Sequence, residues 1–174
     1  LASSLALGLV LPGEATAQKK VRWKMASAFT SSLDVVGESG PILSENLRKM
    51  SGGALDVKFF EPGALVPPFE IFNAVSKGSI EAGFTTPGFH VAVIPSLPWF
   101  STVPFGPQAG EYLAWLKYGG GQKLKDEIYA RHGVRGISCI TIAPEASGWF
   151  RREIKTVEDL KGLKMRFFGL GANV

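Results

Sequence analysis

Strand-like and helix-like segments alternate along residues 21–84, and this alternation constrains the fold more than any other feature of the sequence. Residues 21–27 alternate apolar and polar side chains with the period of a half-buried strand. The strand patterns are 21–27, 54–60 and 79–84, and the helical patterns between them are 41–50 and 68–76. The resulting order, βαβαβ, predicts an α/β domain in which neighbouring strands run parallel.

The pattern changes after residue 84. Residues 85–107 form a proline-rich stretch without regular periodicity, and long loops of this kind are often functional. The segments predicted beyond it are helices at 108–118 and 122–131, strands at 134–142, 147–152 and 163–168, and a short helix at 157–161. The single cysteine, Cys139, excludes a disulfide within the chain, and its apolar surroundings predict a buried side chain.

Residues 1–17 have the features of an export signal. They carry one charge, contain a short apolar run, and end in the small-x-small motif Ala15-Thr16-Ala17. The apolar run is far shorter than the roughly 20 residues of a membrane-spanning helix. We expect the remnant of a signal peptide, cleavage after Ala17 and a periplasmic location, with a short buried helix at the front of the fold as the alternative.

Charge and motifs exclude several classes of function. The formal net charge is +4, but the basic residues are scattered and form no dense block interleaved with aromatics, which argues against nucleic acid as a partner. The sequence contains no GxSxG or HExxH motif, and neither His90 nor His132 has neighbours typical of a triad or a metal site. Recognisable catalytic signatures are therefore absent.

The segment LKGLKMRFFGLGANV at 160–174 raises the question of phosphate binding, since a predicted strand is followed by Gly169 and Gly171. Val174 stands where a dinucleotide fold requires Gly or Ala, and two cations interrupt the apolar run of the strand. Nucleotide binding is thus a disfavoured hypothesis. From the residues alone, Arg166 is either a solvated strand charge or a planar fork that holds a carboxylate, with the following glycines near the same anion.

Several segments of the sequence resemble the DctP-type periplasmic substrate-binding proteins of tripartite ATP-independent periplasmic (TRAP) transporters. The matching segments are GALDVKFFEPGALVPPFEIFNAVSKGSIEAG at 53–83, VPFG at 103–106, YGGG at 118–121 and GWFRREIKTVEDLKGLKMR at 148–166. The resemblance extends over residues 20–174 and is strongest to the branch associated with 2-oxo acids and related monocarboxylates.

This resemblance implies a two-domain α/β fold of the periplasmic-binding-protein type, which closes on a ligand in the cleft. Because a family member is about twice as long as this chain, we expect the first domain to be essentially complete and the second to be truncated. The expected division is a signal-peptide remnant at 1–17, domain I with its connecting helices at 18–142, and the crossover and start of domain II at 143–174.

The resemblance also implies roles for individual residues. Arg166, in the KGLKMR motif, takes the position of the arginine that clamps the ligand's carboxylate. Glu145 stands where the keto-acid branch has a glutamine that contacts substrate and a bound cation. A carboxylate there is expected to bind a cation more strongly, to contact a ligand hydroxyl or amine, or to change the ligand class, so keto-acid specificity does not transfer directly. Phe89 and His90 align with the aromatic pair that contacts the ligand from domain I, and Phe29 is a further pocket candidate.

The expected function is that of a non-catalytic receptor that binds a small organic carboxylate and delivers it to the membrane subunits of a TRAP transporter. No cofactor is firmly implied; a cation such as sodium or calcium, held with the ligand through Glu145, is left open, as is a homodimer. The alternative is a secreted α/β enzyme with Glu145 as general base and Arg166 as substrate clamp.

Overall fold

The computed structural model describes residues 19–142, 146 and 148–172. Its centre is a three-stranded parallel sheet in the order β2-β1-β3. The strands are β1 (Val21–Ser27), β2 (Leu55–Phe60) and β3 (Ala82–Phe84), and the α-helices are α1 (Ser39–Met50), α2 (Ile71–Ser76), α3 (Ala109–Tyr118) and α4 (Gly121–Ala130). Short 3-10 helices lie at Pro68–Glu70, Pro87–His90, Leu97–Phe100, Val157–Leu160 and Gly169–Ala172.

The predicted βαβαβ unit is therefore confirmed. β1 lies in the middle of the sheet, with Val21 opposite Leu55 on one side and Met25 opposite Ala82 on the other. Helices cover both faces of the sheet, and this arrangement explains why the carboxyl-terminal half of β1 is buried on both sides. The apolar cluster on the α1 face consists of Met25, Val57 and Phe84 with Leu47, and that on the α2 face of Ala26, Ile71, Ala74 and Ile80.

The proline-rich stretch contributes to a second core. Residues 87–90 and 97–100 form 3-10 helices, and Leu97 is completely buried. This core joins the stretch to α2, α3 and α4, and its buried members are Phe72, Ile94, Leu97, Phe100, Leu116 and Tyr129. The expectation of a long irregular loop is correct only in part, because apolar side chains anchor half of the stretch against the helices.

Three predicted strands are wrong in the described part of the chain. Residues 134–142, the described residues of 147–152, and 163–168 have no regular secondary structure. A strand needs a neighbour for its backbone hydrogen bonds, and no described strand runs beside these segments. Ile140 packs on the Met25 cluster, but Cys139 is exposed, contrary to expectation.

The other predicted elements are confirmed with shifted boundaries. The predicted helix at 157–161 is the 3-10 helix Val157–Leu160, which begins at a capping box formed by Thr156 and Asp159. The expected signal segment, residues 1–17, lies outside the described residues, and the division at residue 143 stays a prediction. Among the helices that the structure describes, none is both long and apolar enough to cross a membrane.

Candidate functional site

The sheet has a topological switch point between β1 and β3. The chain leaves β1, forms β2 on one side, and then crosses to form β3 on the other side. In open parallel sheets, ligands bind outside the carboxyl ends of the strands at such a point, because the two following loops diverge there. Phe29 follows β1 and Phe89 follows β3, so the topology places both predicted pocket residues at this edge.

The backbone around Phe29 is held by the buried Ser27. The Ser27 hydroxyl donates to the Phe29 carbonyl at 2.7 Å, and its oxygen accepts from the Phe29 N–H at 3.0 Å. The N–H of Ala28 donates to the Phe84 carbonyl at 2.9 Å, which continues the β1–β3 ladder by one step. Phe29 therefore leaves the sheet in a defined direction.

Five phenylalanines form what we call the aromatic cluster: Phe29, Phe69, Phe84, Phe89 and Phe168. Phe89 is its centre, with ring centroids 5.9 Å from Phe29, 5.0 Å from Phe69 and 5.5 Å from Phe168. Phe29 also meets Phe84 edge-on at 6.2 Å. Phe29, Phe89 and Phe168 are half-buried and Phe69 is exposed, so the cluster presents a continuous aromatic surface.

His90 lies behind this surface. Its ring is 2% exposed and packs against Phe72 at 5.4 Å, while Nε2 is 3.2 Å from the Thr85 hydroxyl. Nδ1 is buried without a hydrogen-bond partner among the described residues, although the backbone of Phe69 lies close to the ring. Burial lowers the pKa of His90, and the Phe69 backbone opposes this shift. The structure thus separates His90 from Phe89: Phe89 joins the aromatic cluster and His90 joins the core.

Arg166 is exposed and forms no ion pair with another described residue. It stands two residues before Phe168, so the two α-carbons lie within about 7 Å of each other. The contact between Phe168 and Phe89 therefore places the backbone of Arg166 near the aromatic cluster. A guanidinium beside an apolar wall is suited to a small molecule that carries both a carboxylate and an apolar group.

Glu145, the fifth predicted site residue, lies outside the described residues. In the described part of the chain, no group of three or more His, Cys, Asp or Glu side chains is arranged to hold a metal ion. The described side chains therefore do not form a cation site of this kind.

Reasoning from the sequence missed Phe168, Phe69 and Gly88. In the predicted strand, Phe168 and Arg166 lie on the same face. This was the one feature of the sequence that indicated a position of Phe168 near Arg166. Its packing on Gly88 depends on tertiary contact between segments far apart in the sequence. A separate open groove of about 710 Å³ involves Phe150, Leu160, Met165 and Phe167, none of which belongs to the aromatic cluster.

Comparison with known proteins gives consistent matches. The family model described as DctP, bacterial extracellular solute-binding protein, family 7, matches residues 26–171. A monocarboxylate 2-oxoacid-binding periplasmic protein of Nostoc sp. is 36% identical over 155 residues, which are 88% of this chain and 42% of the relative.

Solved structures of similar fold include three TRAP solute-binding proteins. That of Bordetella bronchiseptica, with copurified calcium and picolinate, is 30% identical with a TM-score of 0.84, over 89% of this chain and 46% of that one. That of Pseudoalteromonas atlantica, with sodium and pyruvate, is 32% identical with a TM-score of 0.75, over 89% and 47%. That of Colwellia psychrerythraea, with calcium and pyruvate, is 31% identical with a TM-score of 0.73, over the same shares. The chain thus spans less than half the length of these relatives.

Proposed function

Because the chain belongs to the DctP family of bacterial extracellular solute-binding proteins, family 7, we propose that it is part of a periplasmic receptor for a small organic monocarboxylate. The receptor would deliver this ligand, a 2-oxo acid or related compound, to the membrane subunits of a TRAP transporter. The observation that supports the proposal is that Arg166 is exposed and stands two residues before Phe168, whose ring packs on Phe89 in the aromatic cluster at the switch point of the sheet.

In this proposal Arg166 anchors the carboxylate. Its planar guanidinium donates two parallel hydrogen bonds to the two carboxylate oxygens, and such charge-assisted contacts are stronger than neutral ones. Phe29 and Phe89 form the apolar wall on the side of domain I. His90 supports this wall from the core, where its Nε2 meets Thr85. Closure of a second domain over the wall would exclude water and strengthen the ion pair.

A cation is a further part of the proposal. Two of the structural relatives hold pyruvate together with sodium or calcium, and a third holds picolinate with calcium. Glu145 is the residue of this chain that we assign to such a cation, since a carboxylate oxygen is a ligand suited to either ion. A bound cation would also offset the repulsion between Glu145 and the carboxylate of the ligand.

We further propose export of the protein through the signal peptide at residues 1–17, with cleavage after Ala17. The family description places its members outside the cytoplasm, and the Nostoc relative is named as a periplasmic protein. Amino-terminal sequencing of the secreted protein tests the site: Gln18 as the first residue supports it, and any other first residue corrects it. A homodimer stays part of the proposal, with one relative named as a dimer.

The decisive test is calorimetric titration of the full-length protein with pyruvate. We expect saturable binding, and we expect Arg166→Ala to weaken it by roughly 10- to 150-fold, the equivalent of a charge-assisted contact worth about 1.5–3 kcal/mol. Arg151→Ala is the matched control, because Arg151 is also exposed and makes the same change in charge. Unchanged affinity in Arg166→Ala would exclude the anchor role. Repeating the titration with EDTA, or without sodium, tests whether the ligand binds together with a cation.

The same titration separates the receptor from the alternative, a secreted enzyme that acts on a carboxylate. The relatives are named as solute-binding proteins, which favours the receptor. Mass analysis of the ligand after prolonged incubation decides between the two. Recovery of the ligand unaltered supports the receptor, whereas turnover that Arg166→Ala abolishes supports the enzyme.

A further inference from the structure

We propose that Phe168 is a specificity-determining residue, and that its ring directs the site towards carboxylates that carry a flat aromatic group. The inference deepens the proposed function and rests on it, because it takes the carboxylate anchor at Arg166 as given. It concerns the part of the ligand that lies beyond the carboxylate.

The ring of Phe168 is seated on Gly88. A Cβ atom built on Gly88 would lie 2.4 Å from Cζ and 2.7 Å from Cε1 of Phe168, far inside van der Waals contact. Gly88 is buried in the 3-10 helix Pro87–His90, and this helix also contacts the 3-10 helix that begins at Gly169. The absence of a side chain at Gly88 therefore allows the aromatic ring to approach the domain I backbone.

From this seat the Phe168 ring extends the aromatic cluster to a point two residues along the chain from Arg166. Its ring meets Phe89 at 5.5 Å with an interplanar angle of 63°, and Phe89 in turn contacts Phe29. Rings at these separations are in the favourable range for aromatic pairs. Arg166, two residues away, would hold the carboxylate at the end of this surface, so the group attached to the carboxylate would lie against the rings.

The chemistry of this surface selects among ligands. Phenylalanine rings offer no hydrogen bond to a hydroxyl or a second carboxylate, so a hydrated ligand tail would lose water without compensation. A flat aryl group loses no such hydration. Its contacts with the phenylalanine rings raise the binding affinity by roughly 2- to 12-fold beyond the effect of the apolar area that it buries. An aryl group joined close to the carboxylate also has few rotors to immobilise. The ligand class that fits is an aryl or heteroaryl carboxylate.

The test compares three 2-oxo acids that differ only in the group beyond the oxo carbon: phenylglyoxylate, cyclohexylglyoxylate and pyruvate. In calorimetry of the full-length protein, we expect phenylglyoxylate to bind tightest, by roughly 2- to 12-fold over its saturated-ring analogue. Phe168→Ala should remove this preference, because it lowers phenylglyoxylate affinity by a larger factor than it lowers the affinity for pyruvate or the saturated analogue. Phe167→Ala is the matched control, because that neighbouring ring faces the separate groove.

Gly88→Ala provides a second route to the same answer, since its added methyl group would push the Phe168 ring out of its seat. It should lower phenylglyoxylate affinity selectively, with circular dichroism used to verify that the variant is folded. If pyruvate or the saturated analogue binds as tightly as phenylglyoxylate, or if Phe168→Ala weakens all three equally, the inference is overturned while the receptor function stands. If none of the three acids binds, both the inference and the proposed function fail.

Discussion

The carboxylate of Glu61 accepts two hydrogen bonds from Ser31, one from its backbone N–H at 3.1 Å and one from its hydroxyl. This contact joins the loop after β2 to the loop after β1, two residues beyond Phe29. The hydrogen bonds from Ser31 hold the pKa of Glu61 below its usual value. An exposed carboxylate thus braces the loop that carries one side of the proposed ligand wall.

Glu61→Gln should loosen this loop, because a neutral amide accepts hydrogen bonds less strongly than a carboxylate. We expect faster hydrogen exchange at the Ser31 amide and little change in the melting temperature. Glu45→Gln is the matched control, since it removes an exposed carboxylate that pairs with Lys49 on α1, away from the loop. If the Ser31 amide exchanges at the same rate in both variants, Glu61 does not stabilise this loop.

The same contact has a defined pH dependence. Because the pKa of Glu61 is lower in the folded state than in the unfolded chain, its contribution to stability is complete above the unfolded value of about 4.5 and is lost as the pH falls through the folded value. Exchange at Ser31, corrected for the intrinsic pH dependence of amide exchange, should therefore stay constant from pH 7 to pH 5. It should rise only in more acidic solution, and an earlier rise would assign the effect to another group.

Gly37 should not tolerate any side chain. A Cβ atom there would lie 1.9 Å from the Thr30 carbonyl oxygen and 2.8 Å from that of Leu33, and backbone atoms cannot move aside as a side chain can. We expect Gly37→Ala to lower the free energy of unfolding by about 1–3 kcal/mol in urea denaturation, as overpacking does in cores. Gly110→Ala is the contrasting control: it has open space in α3 and should stabilise the protein by up to about 1 kcal/mol.

His90 should make stability depend on pH in a window above that of the carboxylates. Burial lowers its folded-state pKa, so the unfolded chain takes up a proton first as the pH falls. The free energy of unfolding should therefore be constant above about pH 7, decline as the pH falls below about 6.5, and level off beneath the folded pKa. Melting temperatures between pH 5 and pH 8 measure this.

His90→Phe should abolish the decline, because it keeps an aromatic ring against Phe72 and removes the titrating group. It forfeits the contact with Thr85, at a cost of about 1 kcal/mol. The control is His132→Gln, since the His132 ring also lies against Phe72 but is less buried. Persistence of the decline in His90→Phe would assign it elsewhere.

The sequence predicts local structure well where neighbouring residues determine it. The strand β1 was predicted from the alternation of its side chains, although its burial does not alternate: residues 21–24 are exposed and residues 25–27 are buried. The 3-10 helix at Val157 follows from the capping box that begins at Thr156. The predictions of strands at 134–142 and 163–168 are wrong because they depended on contacts beyond neighbouring residues. Their apolar pattern indicates burial, but a strand requires a hydrogen-bonded neighbour, which no sequence pattern supplies.

The site divides in the same way. Arg166 and Phe89 were predicted from the family resemblance, and Phe29 from its position after β1. The aromatic pair Phe89-His90 could not be separated from the sequence, because which of the two adjacent residues faces the core depends on how the 3-10 helix packs. The seat of Phe168 on Gly88 was likewise invisible, since it joins two distant segments.

The turn at Val103–Gly106 offers a last test, because a bulky residue occupies a position suited to glycine. The Gly106 N–H donates to the Val103 carbonyl at 2.9 Å, Pro104 takes the second position, and Phe105 takes the third with φ +56° and full exposure. A left-handed conformation costs a non-glycine residue roughly 1–2 kcal/mol, while glycine adds about 0.5–1 kcal/mol of unfolded-state entropy.

Phe105→Gly should therefore raise the free energy of unfolding by up to about 1 kcal/mol in urea denaturation. Phe105→Ala, which removes the ring but keeps the strain, should leave it unchanged. A loss of about 2 kcal/mol in both variants would instead mean that the ring is buried in the full-length protein.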